Sequence, residues 1–279
     1  MKTDYDVIII GGGTAGVIAA VQAGRAGVQT LLVEKDEILG GTLTKAGISC
    51  PGPFYAWRKP AIAGIGYELV TKCAAESDIP LPDYSTQEPC PQGRWAVHVN
   101  PHVYALICDQ AVNDAGVDVL FDAMCARIEE TNNTKKVTLC LKEGLRDFTC
   151  KVLIDATGDA NAVSLAGYDV IREKDVQPAT YTAKLDGVTK LSDEELSALR
   201  ADYEEAVKQG LLRYTDSGWN SHGMDTRFLS TRGHNGNHIF LSGIDASTSA
   251  GISAYALEGR AAILRLLRFY KKYDFFKDL

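Results

Sequence analysis

Three glycines and one acid near the start of this chain have spacings that suit phosphate and ribose recognition. Gly11-Gly12-Gly13-Thr14-Ala15-Gly16 is a G-x-G-x-x-G turn, and Glu34 follows at the distance where an acid meets a ribose. Gly11 permits a tight turn. Gly13 has no Cβ, so its backbone can approach a pyrophosphate. Gly16 lets a helix pack closely on strands. Free N–H groups at that helix start, aided by its macrodipole, bind phosphate. Glu34 accepts hydrogen bonds from ribose hydroxyls, and its neighbour Lys35 is assigned to the same cofactor set. The apolar runs Tyr5–Ile10 and Leu31–Val33 supply the flanking strands, with an Ala-rich helix between them. A lone G-x-G-x-x-G is a weak signal; with strand, helix and acid in place it reads as dinucleotide binding.

Two further stretches favour FAD over NAD. Gly40-Gly41-Thr42-Leu43-Thr44 offers bare backbone to a flat or charged ligand, and Thr42 and Thr44 add hydroxyl donors. Later, the run Val152–Asp155 stops at Ala156-Thr157-Gly158-Asp159, where small residues again admit a close approach. Asp159 is suited to ribityl hydroxyls, or else to capping a helix.

With these segments the chain resembles the FAD-dependent oxidoreductases of the glutathione reductase-type flavoprotein superfamily. More narrowly, it is similar to a bacterial-type family with a Gly-Gly-x-x-Thr-x-Gly loop and an Ala-Thr-Gly-Asp-Ala segment. Here those are Gly40–Gly47, in which Ala46 stands at the position of the pattern's last glycine and Gly47 follows one residue later, and Ala156–Ala160; Gln177-Pro178-Ala179-Thr180 and Glu258-Gly259-Arg260 extend the likeness. The resemblance implies an extended FAD with adenosine by Glu34, pyrophosphate by Gly11–Gly16, and flavin near Gly40–Gly47 and Gly158-Asp159. Such flavoproteins usually continue further and supply a second Gly-rich element against the flavin end. The nearest mimic here is Phe240–Ala246, so the expectation is a chain shortened at its C-terminus, with the activity of this chain alone in question.

Catalytic residues are the least legible, because a flavin carries its own chemistry. His98 and His102 lie in Trp95–His102, and His98 on a strand-like segment is a candidate proton donor or acceptor. Arg232 and His234 are candidates for an anionic substrate, although Gly233 and Gly236 around them also mark a solvated turn. Cys50 follows the Gly-Gly loop, but neither an adjacent positive charge nor a helix start is evident to activate it. For each of these, a packed or solvated side chain is the plainer reading.

Composition bounds the alternatives. The chain has 279 residues, 46% hydrophobic and 23% charged, with a net charge of −7. That suits a folded globular protein and gives no basic stripe for nucleic acid. Seven scattered cysteines with no C-x-x-C pair argue against a disulfide framework, a zinc site or a paired redox centre. No metal is expected. A strand beginning almost at Met1 leaves no room for a signal peptide, and no apolar run reaches membrane-spanning length. The expected location is therefore the reducing cytoplasm, without membrane docking.

These residues must be carried by an α/β fold. The expectation is a Rossmann-like FAD-binding domain with a parallel central sheet, a small antiparallel meander over 124–150, and an inserted α+β substrate or cap region. Residues 1–50 and 102–167 form the FAD-binding part, 51–101 a cap-like insertion rich in proline, and 168–279 an incomplete substrate-domain portion. Helices are expected over 62–76, over 102–115 ending at Gly116, from the capping box Ser192–Glu195 to Gly210, and over 252–272. Strands are expected over 117–121, 152–156 and 179–185, within a β-rich stretch over 226–242 as well.

The reading is an FAD-dependent oxidoreductase, or the N-terminal part of one, moving a hydride equivalent between flavin N5 and a small organic substrate. One alternative is a flavin-dependent tRNA-modifying protein, which RNA binding at low salt would reveal. Another is a non-catalytic FAD-binding chain whose site a partner chain or second copy completes. Flavin reduction by the chain alone would exclude it.

Overall fold

The computed structural model describes residues 2–56, 59–84, 96–131, 133–173, 175–183, 185, 187, 191–218, 224 and 236–279. They form two compact units, Met1–Arg172 and Glu173–Leu279.

The first unit is built on β1 (Asp4–Ile10), α1 (Thr14–Arg25) and β2 (Thr30–Val33). Short strands β3 (Gly52–Pro53), β4 (Tyr55–Ala56) and β5 (Lys59–Pro60) lead to α2 (Ile65–Glu76). β6 (Ala96–Val97), α3 (Pro101–Asp114), β7 (Asp118–Leu120), β8 (Met124–Thr131), β9 (Thr134–Leu141), β10 (Gly144–Asp155) and α4 (Asn161–Leu165) follow. One six-stranded sheet has the order β7-β2-β1-β10-β9-β8. β7, β2, β1 and β10 run parallel, whereas β10, β9 and β8 are antiparallel.

The expected meander and the expected return to the sheet share one strand. β10 pairs with β9 along Gly144–Cys150 and with β1 along Thr149–Asp155. The meander is therefore an extension of the nucleotide sheet. Its tight turns use Asn133 and Gly144 at positive φ, as turn chemistry requires.

Side chains alternate across the central strands, and each face has its own core. Ile9 and Leu32 join Val17, Val21 and helices α2 and α3 on one side. Ile8, Ile10, Leu31 and Val33 join Val137, Leu139 and Phe148 on the other. The described part of 51–101 does not stand apart from this unit. Leu69, Val70 and Cys73 of α2 and Val97 share the α1 core, and Arg25 of α1 makes two hydrogen bonds to Glu68 of α2. Helix α1 ends with Gly27 at φ 80° just past its last turn, a left-handed position that glycine adopts freely.

The second unit contains β11 (Ala179–Ala183), α5 (Asp193–Lys208), β12 (Gly236–Leu241) and α6 (Ser249–Tyr270). Both bonds of the Ser192/Glu195 capping box are formed. β12 pairs antiparallel with β11 in a two-stranded sheet, so Phe240–Ala246 is not a second parallel strand opening onto a phosphate turn. Buried Asp216 receives a bidentate pair from Arg265, at 2.9 and 2.7 Å, which also raises the Arg265 pKa. No helix among the described residues is long and apolar enough to cross a membrane.

Candidate functional site

Strand register builds the site. Ile10 lies between Val33 on β2 and Asp155 on β10. The next residue on each strand, Gly11, Glu34 and Ala156, therefore emerges at one shared edge of the sheet. Chain order reverses here, since β2 lies on one side of β1 and β10 on the other. That crevice, outside the carboxyl ends of parallel strands, is where open α/β sheets bind ligands.

The glycines at this edge fall into two groups. Most are needed for packing. A methyl on Gly16 would lie 1.8 Å from the Gly11 carbonyl oxygen, and one on Gly11 would lie 2.4 Å from that of Ala156. On Gly12 it would meet Leu39 at 2.6 Å, and on Gly41 it would meet the Gly13 α-carbon at 2.9 Å. Gly13 and Gly158 differ, since a Cβ on either would meet no protein atom within 4 Å. At these two positions the bare backbone has open space before it, as close approach to a ligand requires.

The Gly40–Thr44 loop docks on the glycine turn. The Gly40 N–H donates to the Gly12 carbonyl at 2.9 Å, and the Thr14 hydroxyl donates to the Gly40 carbonyl at 3.3 Å. Lys45 pairs with Asp36, holding the far end of this loop near the end of β2. Thr42 is exposed, but Thr44 is buried and its hydroxyl donates to the Leu39 carbonyl at 2.6 Å. Thr44 is therefore a structural brace, and of the expected pair only Thr42 is exposed.

Glu34 is buried and works inside the protein as well. Its Oε2 accepts from the Gly12 N–H at 2.6 Å and its Oε1 from the Asp36 N–H at 2.9 Å. A carboxylate has about four acceptor positions, so room for ribose hydroxyls is left. Lys35 beside it is exposed. No side chain caps α1, which starts from Gly13 and has no acid in its first turn. Its first N–H groups, those of Thr14 and Ala15 included, are of the kind that bind an anion.

At the end of β10 the capping residue is Asp155, to which the sequence reading assigns no role. Its carboxylate accepts from Thr157 and from the Val163 N–H of α4. Burial pushes its pKa up, but those hydrogen bonds outweigh burial and leave it below the usual value. Asp159 is exposed and caps nothing, which removes the capping alternative for it. The signal for Asp155 is Asp-x-Thr between a strand and a helix, the pattern of an Asx turn.

The weak catalytic candidates separate. Gly52 and Pro53 of β3 pair with Val97 and Ala96 of β6, and the Val99 N–H donates to the Ser49 carbonyl at 2.8 Å. Cys50 and His98 thus lie on adjoining stretches of chain, both half-buried. His102 is exposed in the first turn of α3, behind the Asn100 cap. Arg232 and His234 lie outside the described residues. Among the described residues, no group of three His, Cys, Asp or Glu stands close enough to hold a metal ion.

The two outlying segments of the expected likeness meet in the second unit. Glu258 accepts from Arg213 at 2.7 Å and Arg265 at 2.9 Å. Gly259 faces Tyr181 of β11, and the Tyr255 hydroxyl donates to the Thr180 carbonyl at 2.8 Å. These are packing roles.

Curated relatives match over short stretches. Dihydrolipoyl dehydrogenase of Bacillus subtilis (strain 168) is 51% identical over 47 residues, which is 17% of this chain and 10% of that protein. The mitochondrial dihydrolipoyl dehydrogenase of Caenorhabditis elegans is 46% identical over 44 residues, 16% and 9% of the two chains. The matched stretch thus spans about a tenth of these relatives' length. Among solved structures, OxyS anhydrotetracycline hydroxylase from Streptomyces rimosus is 18% identical with a TM-score of 0.45, over 61% of this chain and 35% of that one. A flavoprotein/dehydrogenase from Cytophaga hutchinsonii is 18% identical with a TM-score of 0.43, over 59% and 42%. The model of the family described as FAD dependent oxidoreductase matches residues 6–274, and by that match the chain belongs to the FAD-dependent oxidoreductases.

Proposed function

We propose that this chain holds FAD across the carboxyl ends of β1, β2 and β10 and serves the oxidation or reduction of a small organic molecule. The observation that carries the reading is the open space before the bare backbone at Gly13 and Gly158, at the same sheet edge where Gly11, Gly12, Gly16, Gly40 and Gly41 are packed against protein. The residues present fit the cofactor. Gly11–Gly16 and the uncapped start of α1 suit its pyrophosphate, and Glu34 with Lys35 suits the adenosine ribose. Gly40, Gly41 and Thr42 on one side, and Ala156–Asp159 on the other, suit the rest of an extended dinucleotide. Thr44 contributes by bracing its loop rather than by direct contact.

Bound FAD supplies hydride-equivalent chemistry at its flavin ring. What the chain itself supplies is placement. Glu34 ties the glycine turn to the end of β2, and the Gly40–Thr44 loop is fastened to the same turn. Of the protonatable candidates, His98 and Cys50 lie close to one another in chain path and belong to the unit that carries the crevice.

The test is the absorbance spectrum of the purified chain, followed by reconstitution with FAD. A flavin spectrum at defined occupancy is expected. A chain that neither retains nor takes up FAD contradicts the reading.

A further inference from the structure

Ala160 has an unusual backbone. Four described non-glycine residues have positive φ, namely Asp78, Asp122, Asn133 and Ala160. Asp and Asn tolerate this region because a short polar side chain can bond locally; alanine has no such compensation. Ala160, at φ 55° and ψ 34°, sits directly before α4. Such strain persists only where the surroundings over-determine it, and it concentrates at functional sites.

The surroundings converge on one carboxylate. Asp155 Oδ1 accepts from the Thr157 N–H at 2.8 Å and from the Thr157 hydroxyl at 2.7 Å. Asp155 Oδ2 accepts from the Val163 N–H at 2.9 Å. The Thr157 oxygen in turn accepts from the Asn161 N–H at 2.9 Å. Residues on both sides of Ala160 are thereby tied back to Asp155. The Thr157 hydroxyl is used in both directions, giving its proton to Asp155 and accepting from Asn161. Gly158, at φ 84° with open space before it, and exposed Asp159 are what this arrangement presents.

We propose that Asp155 is a positioning residue of the cofactor site, whose carboxylate latches the Ala156–Ala160 turn and holds Ala160 in its left-handed conformation. The proposal rests on the FAD reading of that turn and adds to it a residue that touches no ligand. Asp155→Asn keeps one oxygen acceptor but turns an NH2 toward a backbone N–H. The latch then opens and Ala160 relaxes.

The test is FAD titration by fluorescence, with thermal unfolding of the same variants without ligand. Asp155→Asn is expected to bind FAD about tenfold more weakly or worse, as for loss of a charge-assisted hydrogen bond. Adding Ala160→Gly should recover most of that affinity, because glycine adopts the left-handed conformation freely. Ala160→Gly alone should leave affinity within about twofold of wild type. A merely structural Asp155 would lower thermal stability without rescue of affinity at position 160. If Asp155→Asn does not fold, Thr157→Val with and without Ala160→Gly carries the same test. Unchanged affinity in the single variant, or no recovery in the double, overturns the latch. Failure of the wild-type chain to bind FAD overturns instead the reading on which it rests.

Discussion

Gly16 sits against Gly11 so closely that a methyl on Gly16 would lie 1.8 Å from the Gly11 carbonyl oxygen. The last glycine of the motif therefore serves helix-on-strand packing, whereas the middle one, Gly13, faces open space. The two should respond oppositely to substitution. Gly16→Ala should destabilise the first unit by about 3 kcal/mol or more, at the upper end of overpacking costs because the atom in the way is backbone. Gly13→Val should leave the fold intact and abolish FAD binding, and Gly13→Asp should do so with added charge repulsion. Thermal unfolding and FAD titration of the variants check this. Flavin retained at wild-type occupancy by Gly13→Val would remove the phosphate assignment.

Glu34 has a double role if it also meets the ribose. Glu34→Ala should weaken FAD by about 1–3 kcal/mol through lost charged hydrogen bonds. It should also lower the melting temperature of the ligand-free chain, because the buried Gly12 N–H loses its acceptor at 2.6 Å. FMN lacks the adenosine half, so its affinity should stay unchanged. Calorimetry with both ligands separates the two roles, and equal losses for FAD and FMN would take Glu34 out of ribose binding.

The glycine turn and its flanking strands were legible because each residue type has a backbone reason at a fixed offset. The Ser192/Glu195 box was legible on the same ground. Thr44 misled because a hydroxyl in a Gly-rich loop can as easily brace its own loop, and sequence does not say which carbonyl lies within 2.6 Å. Asp155 closes a hydrophobic strand run, and its one sequence signal is the Asp-x-Thr spacing to Thr157; that Val163 also bonds its carboxylate shows only in the fold. The continuity of β10 was hidden for another reason. Its outer half alternates as a meander strand and its inner half reads as a buried parallel strand, so one strand looks like two.

Gly259 lies inside α6, where glycine is normally unfavourable by about 1 kcal/mol relative to alanine. Helix propensity alone would make Gly259→Ala stabilising. A methyl there, however, would lie 2.2 Å from the Tyr181 ring, which also packs on Tyr255 with centroids 5.1 Å apart. The nearest atoms are at the base of the ring, so the ring cannot simply swing clear. Overpacking in the upper part of the range of about 1–3 kcal/mol should exceed the propensity gain and leave a net loss of up to about 2 kcal/mol. Urea unfolding of the variant decides between the two signs.

Glu68 gives the acid response of the first unit a defined component. Hydrogen bonds from Arg25 and then Lys72 hold its pKa down at about 2. The unfolded chain would titrate near a pKa of about 4.3. With the folded value depressed, the stabilisation is fully present above about pH 4.3 and is lost as pH falls toward 2. The side chains of Arg25 and Glu68 are 45% and 32% exposed, so solvent screening limits the contribution to about 1 kcal/mol or less. Glu68→Gln should therefore be slightly less stable than wild type at pH 7, with the difference closing between about pH 4.3 and 2 and shrinking in high salt. Thermal unfolding of both chains across that range measures it. A difference that persists undiminished at pH 2 would mean that the charge of Glu68 is not its source.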